Sequence, residues 1–147
     1  MLNKKSLYLL IIYPFLTHAN NNGCAIVGAS METALFNAIS RDLQIDTSTI
    51  QRNKTTIKII DLSPVSKLYA QSLAKIDYEM AVAQGKATIP EGAYLDSYYE
   101  NNTQSLTVKY TYINKKKKED IFIASGLIND DECSVRFNGY MVIAREF

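Results

Sequence analysis

Leu106–Ile113 reads LTVKYTYI and Asp120–Ile128 reads DIFIASGLI, and these two stretches decide the fold. In the first, Leu106, Val108, Tyr110 and Tyr112 alternate with Thr107, Lys109 and Thr111. That period of two is what a strand with one buried face requires. The charged segment Asn114–Glu119 separates the two runs, and Asn129-Asp130-Asp131 closes the second. Cys133–Phe137 (CSVRF) then meets Asn138-Gly139, a pair that favours the positive φ angles of a two-residue hairpin turn. Such a turn sets Phe137 opposite Tyr140, Val135 opposite Val142 and Cys133 opposite Ala144 on a largely apolar face. The second reading makes Gly139 a bulge in one long bent strand. Under both readings the last third of the chain is an antiparallel meander.

Working towards the N-terminus, Thr55–Leu62 (TTIKIIDL) is β-branched and partly alternating, and it reads as another strand. Two helical patterns flank it. Ser30 is placed to cap the first, with Met31, Leu35, Ile39 and Leu43 at four-residue spacing and Ala34 and Ala38 beside them. Ser63-Pro64 opens the second and Gly85 closes it, with Val65, Leu68, Tyr69, Ser72, Leu73, Ile76 and Met80 as its apolar stripe. Ala87–Thr103 holds Pro90, Gly92 and a tyrosine cluster, and fits a short helix or a packed loop. The expected class is α+β: two amphipathic helices packed on an antiparallel β-meander of about four strands, the helices covering one face. This order is similar to cystatin-like and nuclear-transport-factor-like layouts and to small periplasmic immunity proteins. The likeness is one of layout and cysteine placement, and no residue role is carried over from it.

Residues 1–19 carry the pattern of a secretory signal peptide. Lys4 and Lys5 form a positive start, Leu7–Leu16 (LYLLIIYPFL) an apolar run too short to span a bilayer, and Thr17-His18-Ala19 a cleavage pattern. Cleavage leaves residues 20–147 as a single α+β domain, periplasmic or secreted, with no later apolar run long enough for a membrane span. Without Lys4 and Lys5 the balance is 14 basic against 15 acidic residues, a net charge of −1 that gives no field for nucleic acid. The only histidine, His18, leaves with the signal. The remaining chain then has no imidazole for a Ser-His-Asp triad, a Cys-His pair or a metal ligand set. No cofactor motif is present, and no catalytic or metal-ligating residue is assigned. Cys24 and Cys133, in an oxidising compartment, have one intramolecular pairing open to them, and a disulfide is expected.

Two clusters are candidate contact residues. Tyr94, Tyr98 and Tyr99 belong to a stretch that, with Tyr110 and Tyr112, holds half of the ten tyrosines. Tyrosine supplies rigid contact area with a polar end and is enriched at binding hot spots; alternatively Tyr110 and Tyr112 face the core and Tyr94 and Tyr98 cap it. Lys115, Lys116, Lys117 and Lys118 suit an acidic partner, or simply solvate a hairpin tip. The expected function is binding of another protein by a small exported domain, an inhibitor or immunity protein that blocks the partner's site. The rivals are a carboxylate-based exported enzyme acting on glycans, with Asp77, Glu79, Glu91, Asp96 or Glu100 as acid and base, and a small-ligand carrier with a closed apolar pocket.

Overall fold

The computed structural model describes residues 21–147, so the signal-peptide reading of residues 1–19, His18 included, lies outside the described residues. After a 3₁₀ turn at Asn21–Ala25 come α1 (Ser30–Leu43), short 3₁₀ turns at Thr47–Thr49 and Arg52–Lys54, and β1 (Thr56–Pro64). Then follow α2 (Lys67–Ala83), α3 (Glu91–Tyr99), β2 (Gln104–Ile113), β3 (Glu119–Ile128) and β4 (Arg136–Ala144). The four strands form one antiparallel sheet in the order β1-β2-β3-β4. The class is α+β, with one disulfide between Cys24 and Cys133.

Alternation in β2 works as the sequence requires. Leu106, Val108, Tyr110 and Tyr112 are fully buried, with Phe122, Ala124 and Ile128 of β3 beside them. The tyrosines stack at 6.3 Å, and Phe36 and Phe122 meet Tyr112 edge-on or tilted. Helix α1 lies on this face and buries Met31, Leu35, Ala38 and Ile39. Gly126 is required where α1 crosses β3, because a Cβ there would stand 2.9 Å from the Met31 Cε and 2.7 Å from the Arg136 carbonyl. Cys24 and Cys133 join the N-terminal turn to this core across a sequence separation of 109 residues. Closing so long a loop is worth roughly 4–5 kcal/mol on the chain-entropy account.

Several local expectations are corrected. The chain does not turn back at Asn138-Gly139: β4 is one strand, and a register shift between Ser125 and Gly126 leaves Asn138 as the extra residue of a bulge. Gly139 takes φ +105° there, which glycine tolerates. Helix α1 has Ala29 and not Ser30 at its N-cap, with no side-chain cap, and Glu32 of its first turn reaches back to accept from the Gly28 N–H at 2.9 Å. Ser63-Pro64 ends β1 by pairing with Ser105 and Gln104; the helix begins three residues later, with the Ser66 Oγ accepting from the Tyr69 N–H. Ala87–Thr103 contains a true helix, α3.

The helices do not share one face. Leu127 alternates away from Gly126 and Ile128, so it points to the opposite side of the sheet. There it packs with Val65, Ala70, Leu73, Ala74 and Tyr98 in a second, smaller core. The α2–α3 hairpin therefore sits across one end of the outer face, and the rest of that face is uncovered.

A buried carboxylate completes the α1 side. Glu32 is fully buried, and Arg52 grips both of its oxygens. The Tyr112 hydroxyl donates to Oε1 at 3.1 Å. Arg52 also stacks 4.4 Å above the Phe36 ring. The bond to Glu32 raises the guanidinium pKa, while burial, then Glu32, pushes the Tyr112 phenol up. Each acceptor position of the carboxylate that matters is filled, which a buried charge needs.

Candidate interaction surface

The three candidate tyrosines fall on α3 in different environments. Tyr98 is buried, and its hydroxyl donates to the Asp77 Oδ2 of α2 at 2.7 Å. Asp77 also takes a two-point grip from Arg136 of β4, Nε to Oδ2 at 2.6 Å and Nη2 to Oδ1 at 2.8 Å. Arg136 lies 5.9 Å over the Tyr98 ring. Burial and then Asp77 push the Tyr98 phenol up to about 12, and the Arg136 bond holds the Asp77 carboxyl below its ordinary value. Tyr98 is thus the pin that fixes α3 and α2 to the sheet and is not a surface anchor. Tyr94 packs against it, ring centroids 6.3 Å apart, half-buried. Tyr99 keeps an exposed ring.

The lysines sit at the far end of β3. Asn114 is buried and its Oδ1 accepts from the Lys116 and Lys118 N–H groups, so the turn is braced from inside. The Lys115 N–H donates to the Thr49 carbonyl, and the Lys118 Nζ donates to the Glu146 carbonyl. Buried Asp120 accepts from the backbone N–H groups of Glu146 and Phe147, which brings the Phe147 ring beside Lys115, Lys116 and Lys118. Tyr98 meets Leu127 near the end of β3, whereas Lys118 precedes its first residue. A strand of ten residues, roughly 30 Å, stands between the two candidate sets. They are not parts of one surface.

Sequence reasoning missed a better-formed surface on α2. Leu68, Ile76 and Met80 are read from the sequence as core-facing, but they are 75, 49 and 49% exposed. The helix buries Ala70, Leu73 and Ala74 instead, and seats Asp77 beside them. The alanine spacing, read together with Asp77, is the signal that names the buried side. Small residues there let α2 lie close to α3, and the larger apolar side chains are left on its flank. Tyr69, Ile76 and Met80 are seven and four positions apart, which places them on one side of the helix.

The N-terminal end of that side reaches the outer sheet face at Tyr69. The Asn138 Nδ2 donates to the Tyr69 hydroxyl at 3.3 Å, and Asn138 lines a furrow of about 290 Å³ on the outer face. Ser125 and Gly139, paired across β3 and β4, make its floor low, and Thr107, Ile123 and Met141 edge it. The Tyr69–Asn138 bond is where the α2 flank meets the furrow, and it makes a corner of an apolar helix flank beside a shallow, partly apolar floor.

A second recess of about 350 Å³ lies between α2 and α3, where Glu91 is the one carboxylate among its lining residues and Lys75 the one base. Of the other carboxylates near the tyrosines, Asp77 is held by Arg136, and Glu79 stands 3.9 Å from Lys75 on the helix surface. Among the described residues no group of three or more His, Cys, Asp or Glu side chains is placed to hold a metal ion. No described helix is long and apolar enough to cross a membrane. No protein-family model, curated protein or solved structure matches this chain.

Proposed function

We propose that this chain is a small exported protein-binding domain, an inhibitor or immunity protein that occludes a partner's site, and that the α2 corner is its contact surface. The observation that carries the reading is the apolar flank Tyr69–Ile76–Met80, left exposed although the same helix has a complete buried side. Contiguous apolar surface on a soluble domain marks contact sites. Ile76 and Met80 are half exposed, so withdrawing the rest of each from water on docking is worth roughly 1 kcal/mol apiece, which offsets part of the cost of association. Tyr99, exposed on α3, adds an aromatic group of the kind enriched at hot spots. The preformed corner, tied by the Asp77–Arg136 pair, asks little ordering of the domain on binding. The cystine is compatible with the oxidising compartment that export implies.

The test is capture with the immobilised, oxidised protein from periplasmic and secreted fractions, compared with the Ile76→Asp/Met80→Asp variant and read by quantitative mass spectrometry. A species retained by the parent and depleted at least about tenfold on the variant, equivalent to 1.4 kcal/mol, is the expected result. Equal recovery on both, with the variant folded, removes the corner from the binding surface.

A further inference from the structure

The open sheet face carries a charge arrangement that no local stretch of the sequence shows. Register places Lys58 of β1 directly opposite Lys109 of β2, and the same row continues through Ile123 of β3 to Met141 of β4. Like charges opposed on adjacent strands destabilise a sheet. Neither lysine has an ion-pair partner among the described residues. The remaining charged groups of this face are committed or distant. Arg136 is paired with Asp77, and Glu119 lies two rows away at the start of β3. Asp61, one row away opposite Thr107, forms no ion pair with either lysine, and its carboxylate accepts from the Ser63 Oγ at 2.8 Å. One row further along β3 and β4 begins the furrow over Ser125 and Gly139.

We propose that the segment a partner lays in this corner is an acidic peptide stretch with an aliphatic side chain next to a carboxylate. The carboxylate sits between the Lys58 and Lys109 ammonium groups and relieves their mutual repulsion with two charge-assisted contacts. The aliphatic group fills the furrow against Ile123 and Met141. The inference rests on the reading of the α2 corner as a protein-binding surface and specifies the chemistry of what that surface takes. A peptide fits better than a nucleic acid or a lipid headgroup. The lysines are two, not a tract, and the row beside them continues through the aliphatic Ile123 and Met141 rather than further cations.

Three capped heptapeptides that share two leucines and carry glutamate, lysine or serine between them serve as probes. Each is titrated into the isotope-labelled, oxidised protein at low salt and followed by amide NMR shifts. The glutamate peptide is expected to bind about tenfold more tightly than the lysine peptide, the effect of two exposed charge pairs. Its shifts should centre on Lys58, Lys109, Ser125 and Gly139. Lys58→Glu/Lys109→Glu should reverse the order of the peptides, and Lys115→Glu/Lys117→Glu should leave it unchanged. The inference is overturned if the glutamate peptide binds no better than the serine peptide, or if its shifts centre on Lys115–Lys118. It is equally overturned if vesicles of phosphatidylglycerol, or a single-stranded oligonucleotide, compete through Lys58 and Lys109 more strongly than the glutamate peptide does. The underlying reading fails separately, when Ile76→Asp/Met80→Asp leaves protein capture intact. Capture lost in that variant together with no preference for acid leaves a binding corner of different specificity.

Discussion

Helix α1 and helix α2 are both amphipathic, both lie on the same sheet, and they are used in opposite ways. Helix α1 spends its large side chains inward: Met31, Leu35 and Ile39 are buried, and the charge it buries, Glu32, is matched by Arg52, Tyr112 and the Gly28 N–H. Helix α2 turns two alanines and Leu73 inward and is held by one ion pair and one tyrosine, while Ile76 and Met80 remain half in water. The lesson is that an apolar stripe at helical spacing says a face wants burial but not by what. On α1 the intramolecular core supplies it; on α2, in the function proposed above, a partner does.

The sharpest way to break this contrast is Glu32→Ala. It removes the acceptor for Arg52, Tyr112 and Gly28 at once and should destabilise the fold by about 2–4 kcal/mol in chemical denaturation. The buried Tyr112 hydroxyl loses its partner and a void opens, while Arg52, 39% exposed, turns to water. On the other side, Asp77→Asn should cost about 1–3 kcal/mol, and the loss should be local. Hydrogen exchange should rise across residues 67–99 and stay unchanged in α1. A uniform rise would show that the hairpin is no separate unit.

The same clamp gives a pH window. Asp77 has a folded pKa below its ordinary value, so its contribution is complete above about pH 4 and is lost as pH falls through the lowered value. Tyr98 has a folded pKa raised to about 12, so its contribution is complete below about pH 10 and is lost as pH rises through about 12. Protection of the α2–α3 amides should fall at both extremes before that of β2, and loss of both together would contradict the contrast. The smallest effect belongs to Ile76→Asp/Met80→Asp, whose stability should stay within about 1 kcal/mol of the parent because both positions are half in water already and the loss is mainly of helix propensity. A larger loss would mean that the flank is part of the core.

What could be read locally follows these differences. Tyr110 and Tyr112 alternate with lysine and threonine, and a period of two has one solution when one face is buried. The Ser30–Leu43 and Lys67–Ala83 segments have helical spacing and recognisable ends to within a few residues. Asn138-Gly139 failed as a turn because positive φ at Gly139 serves a bulge as well as a hairpin. The pairing of β4 along the whole of β3, a tertiary fact, selects the bulge. The candidate tyrosines were grouped by proximity in sequence, and α3 then separated them: helical rotation turned Tyr98 inward and Tyr99 outward.

The amino-acid sequence by itself determined the α+β class, strands β2 and β3, the two long helices and the Cys24–Cys133 pairing. Each of these rests on a short-range period or on elimination among two residues. Tertiary structure alone decided which side of α2 is buried, that α2–α3 crosses the face opposite α1, and that Lys58 meets Lys109. Those outcomes depend on strand register and on how closely a helix can approach a sheet, and both are set by contacts between residues tens of positions apart.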